Sequence, residues 1–153
     1  MIAYVALGLC LLLILTGAVS DIRTRRIPNL LVIALAVCAV AYTLSAANVA
    51  ALGSAALHAV IVLVVGMGLF ALRWIGGGDA KFYAACALAV PLAKAVTLLF
   101  WTSVAGLLLV IGMIVAGVLR RQSLSAARTM KVPYGVAVAF GAIATLLLPL
   151  ARF

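Results

Sequence analysis

Apolar residues fall along this chain in long blocks separated by short charged breaks. The first block covers about Ile2 to Ser20, and the second runs from about Pro28 to Ser45 after a break that carries Asp21, Arg23, Arg25 and Arg26. A third covers about Leu52 to Leu72 and ends at the stretch Arg73-Trp74-Ile75-Gly76-Gly77-Gly78-Asp79-Ala80-Lys81, whose glycines read as a turn. From Phe82 to Leu119 the chain is apolar except for Lys94, just past Pro91, which predicts a tight turn between a short fourth span and a fifth. The break from Arg120 to Lys131 carries four basic residues, and a sixth block begins near Pro133 and finishes near Leu150. A spanning helix takes about 20 mostly apolar residues, so six use roughly 120 and leave roughly 33 for all loops and termini. The pattern predicts an all-α polytopic membrane protein of about six transmembrane helices, with no room for a soluble domain.

Composition agrees, since 69% of the 153 residues are hydrophobic and 8% are charged. Eleven Lys and Arg stand against two Asp and Glu, and nine of the eleven lie in the first, third and fifth breaks. The positive-inside rule then places those breaks in the cytoplasm, both termini outside, and the basic side chains against anionic headgroups. Nucleic acid is a poor partner for basic residues scattered over segment ends. A cleaved signal peptide ending at Ala18-Val19-Ser20 lacks the basic stretch that should precede its apolar core. Cys10, Cys38 and Cys86 each lie inside an apolar block with no CxxC pair, which predicts packing residues and no metal site or disulfide framework. His58, inside the third span, reads as a buried imidazole satisfied by a neighbouring hydroxyl or carbonyl. Gly66, Gly68, Gly106, Gly112 and Gly117 read as points of close helix approach.

Asp21 and Asp79 are the only side-chain carboxylates. Asp21 closes the first span and Asp79 opens the fourth, so the topology sets both at the cytoplasmic boundary. Charge near hydrocarbon is costly, and a chain that discards every other acid keeps these two. Structural readings exist for each: Asp21 could neutralise Arg23 or Arg25, and Asp79 could cap the fourth helix. Brought face to face, the two would share a proton and could hydrolyse a peptide bond, one carboxylate taking a proton from water while its protonated partner serves the carbonyl oxygen. That chemistry requires no metal and no cofactor. The glycines before Asp79 fit either a flexible turn or a backbone that an extended peptide can approach.

With these residues in view, the chain resembles the prepilin peptidases, also called type IV leader peptidases, membrane aspartic proteases of the Gly-x-Gly-Asp type. Asp21-Ile22-Arg23-Thr24-Arg25-Arg26-Ile27-Pro28-Asn29 is similar to the family's first aspartate with its Ile-Pro-Asn element. Gly76-Gly77-Gly78-Asp79-Ala80-Lys81 is similar to Gly-x-Gly-Asp-x-Lys, and Pro133-Tyr134-Gly135 to the family's Pro-Tyr-Gly element. The resemblance implies one transmembrane peptidase domain over residues 1–153, with Asp21 and Asp79 catalytic. Gly76, Gly77, Gly78, Lys81, Pro28, Asn29, Pro133, Tyr134 and Gly135 would shape the site or bind substrate. Long members add two CxxC pairs and a methyltransferase activity that this chain does not carry over, so the short form resembles the enzymes of tight-adherence (Flp) pilus systems, with archaeal preflagellin peptidases a related group. The implied substrate is a prepilin or pilin-like precursor, cut at the cytoplasmic face of a bacterial inner membrane. Two other classes use the same acids differently: a small proton or cation carrier, which places them at mid-span, and a non-catalytic assembly subunit, which tolerates their loss.

Overall fold

The computed structural model describes residues 1–119 and 132–148. The expected fifth break, from Arg120 to Lys131, and Arg152 lie outside the described residues. All regular structure in the described part is helical: α1 (Ile2–Thr24), α2 (Asn29–Ala46), α3 (Val49–Ala71), α4 (Gly77–Ala87), a 3-10 turn (Leu92–Lys94), α5 (Ala95–Leu119) and α6 (Tyr134–Leu147). Four of these are long and apolar enough to cross a membrane, namely α1, α2, α3 and α5 with the 3-10 turn before it. They expose large apolar residues such as Ile33, Val64 and Leu108 on their outer faces, as contact with lipid requires.

The fourth segment begins at Gly77, two residues before the Asp79 expected to open it, so two of the three glycines are helical and the break is confined to Leu72–Gly76. It is short, as expected: 11 residues, about 16 Å against the roughly 30 Å of hydrocarbon in a bilayer. Its composition explains its place. Ala80, Ala84, Ala85 and Ala87 make it thin, so α2, α3 and α6 can all close on it, and Phe82 and Cys86 fill the centre of the core with Cys10, Ile14, Leu35 and Val138. Cys10, Cys38 and Cys86 are free, and Cys10 and Cys86 are buried as packing residues.

A short helix that stops inside a bundle leaves carbonyls without partners, which hydrocarbon does not forgive. Side chains of the neighbouring helices supply them here. Thr43 Oγ1 donates to the Leu88 carbonyl (2.9 Å), and His58 Nδ1 donates to the Val90 carbonyl (2.9 Å). Past the turn at Pro91, the Leu92 N–H donates to Ser54 Oγ (3.0 Å). His58 is therefore the carbonyl-satisfied core histidine that its position predicts, and the turn near Pro91 stands where Lys94 and the proline set it.

Helix contacts rest on glycine at fewer places than the sequence suggests. Gly66 does permit close approach, since a Cβ there would lie 2.9 Å from that of Ala80, but Gly68 faces open space. The tightest contact in α1 is at Gly17, where a Cβ would come within 2.6 Å of the Phe82 ring. Gly17 stands one helical turn before Asp21, and Phe82 three residues after Asp79. Phe82 locked against Gly17 therefore sets the separation of α1 and α4 one turn below the two carboxylates.

Candidate active site

Asp21 lies in the last turn of α1, which continues four residues beyond the expected end and closes when the Arg25 N–H bonds back to the Asp21 carbonyl (3.0 Å). Its side chain is 5% exposed. Oδ2 accepts a hydrogen bond from the Gly135 N–H at 2.8 Å, a contact across 114 positions. Gly135 is the second residue of α6, so the donor is one of the N–H groups that a helix start leaves free, and the positive end of the helix dipole adds to it. A Cβ at Gly135 would sit 2.9 Å from Asp21 Oδ2 and 3.0 Å from Ile27 Cδ1, so only glycine lets α6 begin there.

Asp79 occupies the third position of α4, in the first turn, where free N–H groups and the helix dipole favour an acid. That favourable position coexists with a place in the cavity. A Cβ on Gly76 would lie 2.7 Å from Asp79 Oδ2. Gly77 rests against the Phe70 ring, 3.2 Å from where its Cβ would be, while Gly78 would make only ordinary contact with Ile27 at 3.9 Å. Ile27, nearly buried, is the spacer between the starts of α4 and α6. Asp79 stands outside the four spanning helices, and its carboxyl is pushed up to about 6, first by burial and then by the charge of Asp21, against the lowering effect of the Gly76 N–H.

Both carboxylates line one cavity of about 720 Å³. Of the residues expected to shape the site, Gly76, Gly77, Gly78, Lys81, Asn29 and Tyr134 line it as well. Gly135 touches Asp21 from beneath. Pro28 and Pro133 do not line the cavity: each is the cap residue ahead of a helix, α2 and α6 respectively, so they set where Asn29 and Tyr134 stand. Tyr134, whose place between Pro133 and Gly135 suits an interfacial belt residue better than a substrate contact, is among the residues that line the cavity.

Phe70, Arg73, Trp74 and Ile75, just ahead of the glycines, are further wall residues that nothing in the sequence marks as such. The turn geometry also falls on residues other than the expected glycines. No described glycine has a positive φ; Arg25 (54°) and Arg73 (62°) do. Each of these arginines follows the end of a long helix, α1 or α3, and reverses the chain there in the left-handed conformation that usually falls to glycine. Both line the cavity.

The sequence profile of the type IV leader peptidase family matches residues 6–111, a span that includes both acids. The chain belongs to that family. Comparison with curated proteins and with solved structures found no match to either. Membership of a peptidase family and the four long apolar helices together describe a multi-pass membrane protein with a protease's ancestry. Pro133-Tyr134-Gly135 lies beyond the matched span, yet Gly135 donates to Asp21 and Tyr134 stands in the cavity wall, so the cavity draws on a segment that the profile does not reach.

Proposed function

We propose that the protein is a membrane aspartic endopeptidase that removes the short cytoplasmic leader from a type IV prepilin or pilin-like precursor, with Asp21 and Asp79 as its water-activating pair. The observation that carries this reading is that the only two acidic side chains of the chain, 58 positions apart, line the same cavity. In the singly protonated pair, the ionised carboxyl takes a proton from water as the water oxygen adds to the scissile carbonyl carbon. Its protonated partner gives a proton to the carbonyl oxygen. The C–N bond then breaks as the leaving amine takes up the proton that the first carboxyl gained from water, while the other carboxylate takes a hydroxyl proton as the new carboxyl group forms. No metal and no cofactor enters these steps. The elevated carboxyl of Asp79 supports a proton shared near neutrality.

The cavity's place supports a cytoplasmic cut. It opens among helix ends, and Arg25, Arg26, Arg73 and Lys81 surround it, so the positive-inside rule assigns this end of the bundle to the cytoplasm and the start of α1 to the outside of a bacterial inner membrane. A carrier built on the same acids would hold them at mid-depth, whereas these stand in the last turn of α1 and the first turn of α4.

The test is co-expression with a prepilin and a gel shift for leader removal. Asp21→Asn and Asp79→Asn should each slow trimming by about 100-fold or more. Trimming at the normal rate by either variant overturns the reading.

A further inference from the structure

A second cavity, of about 730 Å³, lies beside the first and differs from it in character. Val65 and Leu69 of α3 form one wall, Leu99 and Leu107 of α5 the other, and Ala80 of α4 and Ala137 of α6 the floor. Its existence follows from the packing. α3 packs on α4 and α5 packs on α6, while the 3-10 turn touches both α3 and α5 at the far end, so the two long helices flank a groove closed at that end. Along α5 the groove extends from Ala95 to Val110, about 22 Å at 1.5 Å per residue and so most of the depth of the hydrocarbon. At its open end it meets the catalytic cavity: Ile75, Asp79 and Tyr134 line both.

We infer that this groove seats the apolar helix of the precursor, whose leader lies in the basic cavity, so that the peptide bond joining leader to helix crosses Asp79 at the junction of the two. The inference rests on the proposed peptidase activity and adds where and how the substrate is held. The physical argument is continuity. A chain that passes from polar leader to membrane helix has one abrupt change of polarity, and the two cavities show the same change at the carboxyl group. Small floor residues leave space above them, and a length close to one leaflet and a half suits a segment of membrane helix. An anionic lipid would set its phosphodiester against the carboxylates at this junction, whereas a peptide presents a neutral amide there. Because the described residues leave the groove open between α3 and α5, a helix already in the bilayer can enter sideways without leaving it.

Leu107 and Leu108 provide the test, being adjacent, at the same depth and equally exposed (61% each), with only Leu107 in the groove. A photo-crosslinking amino acid is placed at either position in an Asp21→Asn enzyme co-expressed with the precursor in membranes. The expected result is a crosslink to the precursor's apolar segment from position 107, at least tenfold stronger than from position 108. In active enzyme, Ser103→Phe, which narrows the groove, should lower kcat/KM for the full precursor about tenfold more than for a short peptide that spans the cut and lacks the apolar helix. Equal labelling from both positions, labelling of lipid or of a second enzyme copy alone, or equal loss on both substrates overturns the groove assignment while wild-type trimming persists. Trimming by the Asp79→Asn enzyme overturns the peptidase reading itself, so the two failures are distinguishable.

Discussion

At Gly135 a single hydrogen atom in place of a methyl group decides whether Asp21 keeps its partner. Gly135→Ala brings a carbon to within 2.9 Å of Oδ2 and displaces the carboxylate from the N–H that holds it. The expected outcome is a fall in kcat of about 10-fold or more from misplacement of a reacting group, with the melting temperature in detergent changed far less than the rate. Gly76→Ala should act in the same way on Asp79, whereas Gly78→Ala, which meets only ordinary contact, should be milder. Asp79 itself makes a prediction about stability. Its carboxyl is raised in the fold from 3.8 to about 6, so ionising it costs the folded state more than the unfolded one. That penalty is fully present above about pH 6 and disappears as the pH falls below 4. Asp79→Asn should therefore melt higher than wild type at pH 7.5, and the gap should close as the pH is lowered through this window. A constant gap would show that the carboxyl is not held up by its surroundings. Arg73 is strained in a different sense: an L residue in the left-handed region costs about 1–2 kcal/mol, and Arg73→Gly should raise the melting temperature while raising KM for the precursor, because the same side chain lines the cavity.

Between elements, the contact of Gly17 with Phe82 does for α1 and α4 what the Gly135 bond does for α1 and α6. Phe82 is fully buried and has nowhere to swing, so Gly17→Ala should destabilise by about 1–3 kcal/mol through overpacking. Phe82→Leu in the same chain should return part of that loss. A double-mutant cycle in SDS unfolding would measure the coupling, and additive effects would show that the two do not meet. The end of α4 depends on borrowed hydrogen bonds in a comparable way. Thr43→Val leaves the Leu88 carbonyl without its donor and should cost about 1–3 kcal/mol, read in the same unfolding assay. Thr43 is remote from both carboxylates, and its loss should register in stability before it registers in rate.

For the molecule as a whole, the decisive prediction concerns sidedness. Lys81 lines the cavity and Lys94 lies in the 3-10 turn at the other end of the bundle, both exposed. With Cys10 and Cys86 buried, Lys81→Cys should react with a membrane-impermeant maleimide only from the cytoplasmic side and Lys94→Cys only from the outside; labelling of both from one side would overturn the orientation. Where the chain enters lipid, and which residues carry charge, could be read from the sequence because both depend on local composition: a run of about 20 apolar residues partitions into hydrocarbon whatever it later packs against. The two acids stood out for the same reason, being the whole acidic complement, and the glycine, Pro-Asn and Pro-Tyr-Gly elements carried the family resemblance without contact information. Which residues touch was not local and could not be read. That α4 is central, that Ile27 separates two helix starts, that Gly17 and Gly135 are tight points while Gly68 is not, and that arginines rather than glycines turn the chain were all decided by tertiary packing. An apolar helix that can be hydrophobic on every side carries no periodic mark of the face it buries, so the choice of neighbours is made only when the helices meet.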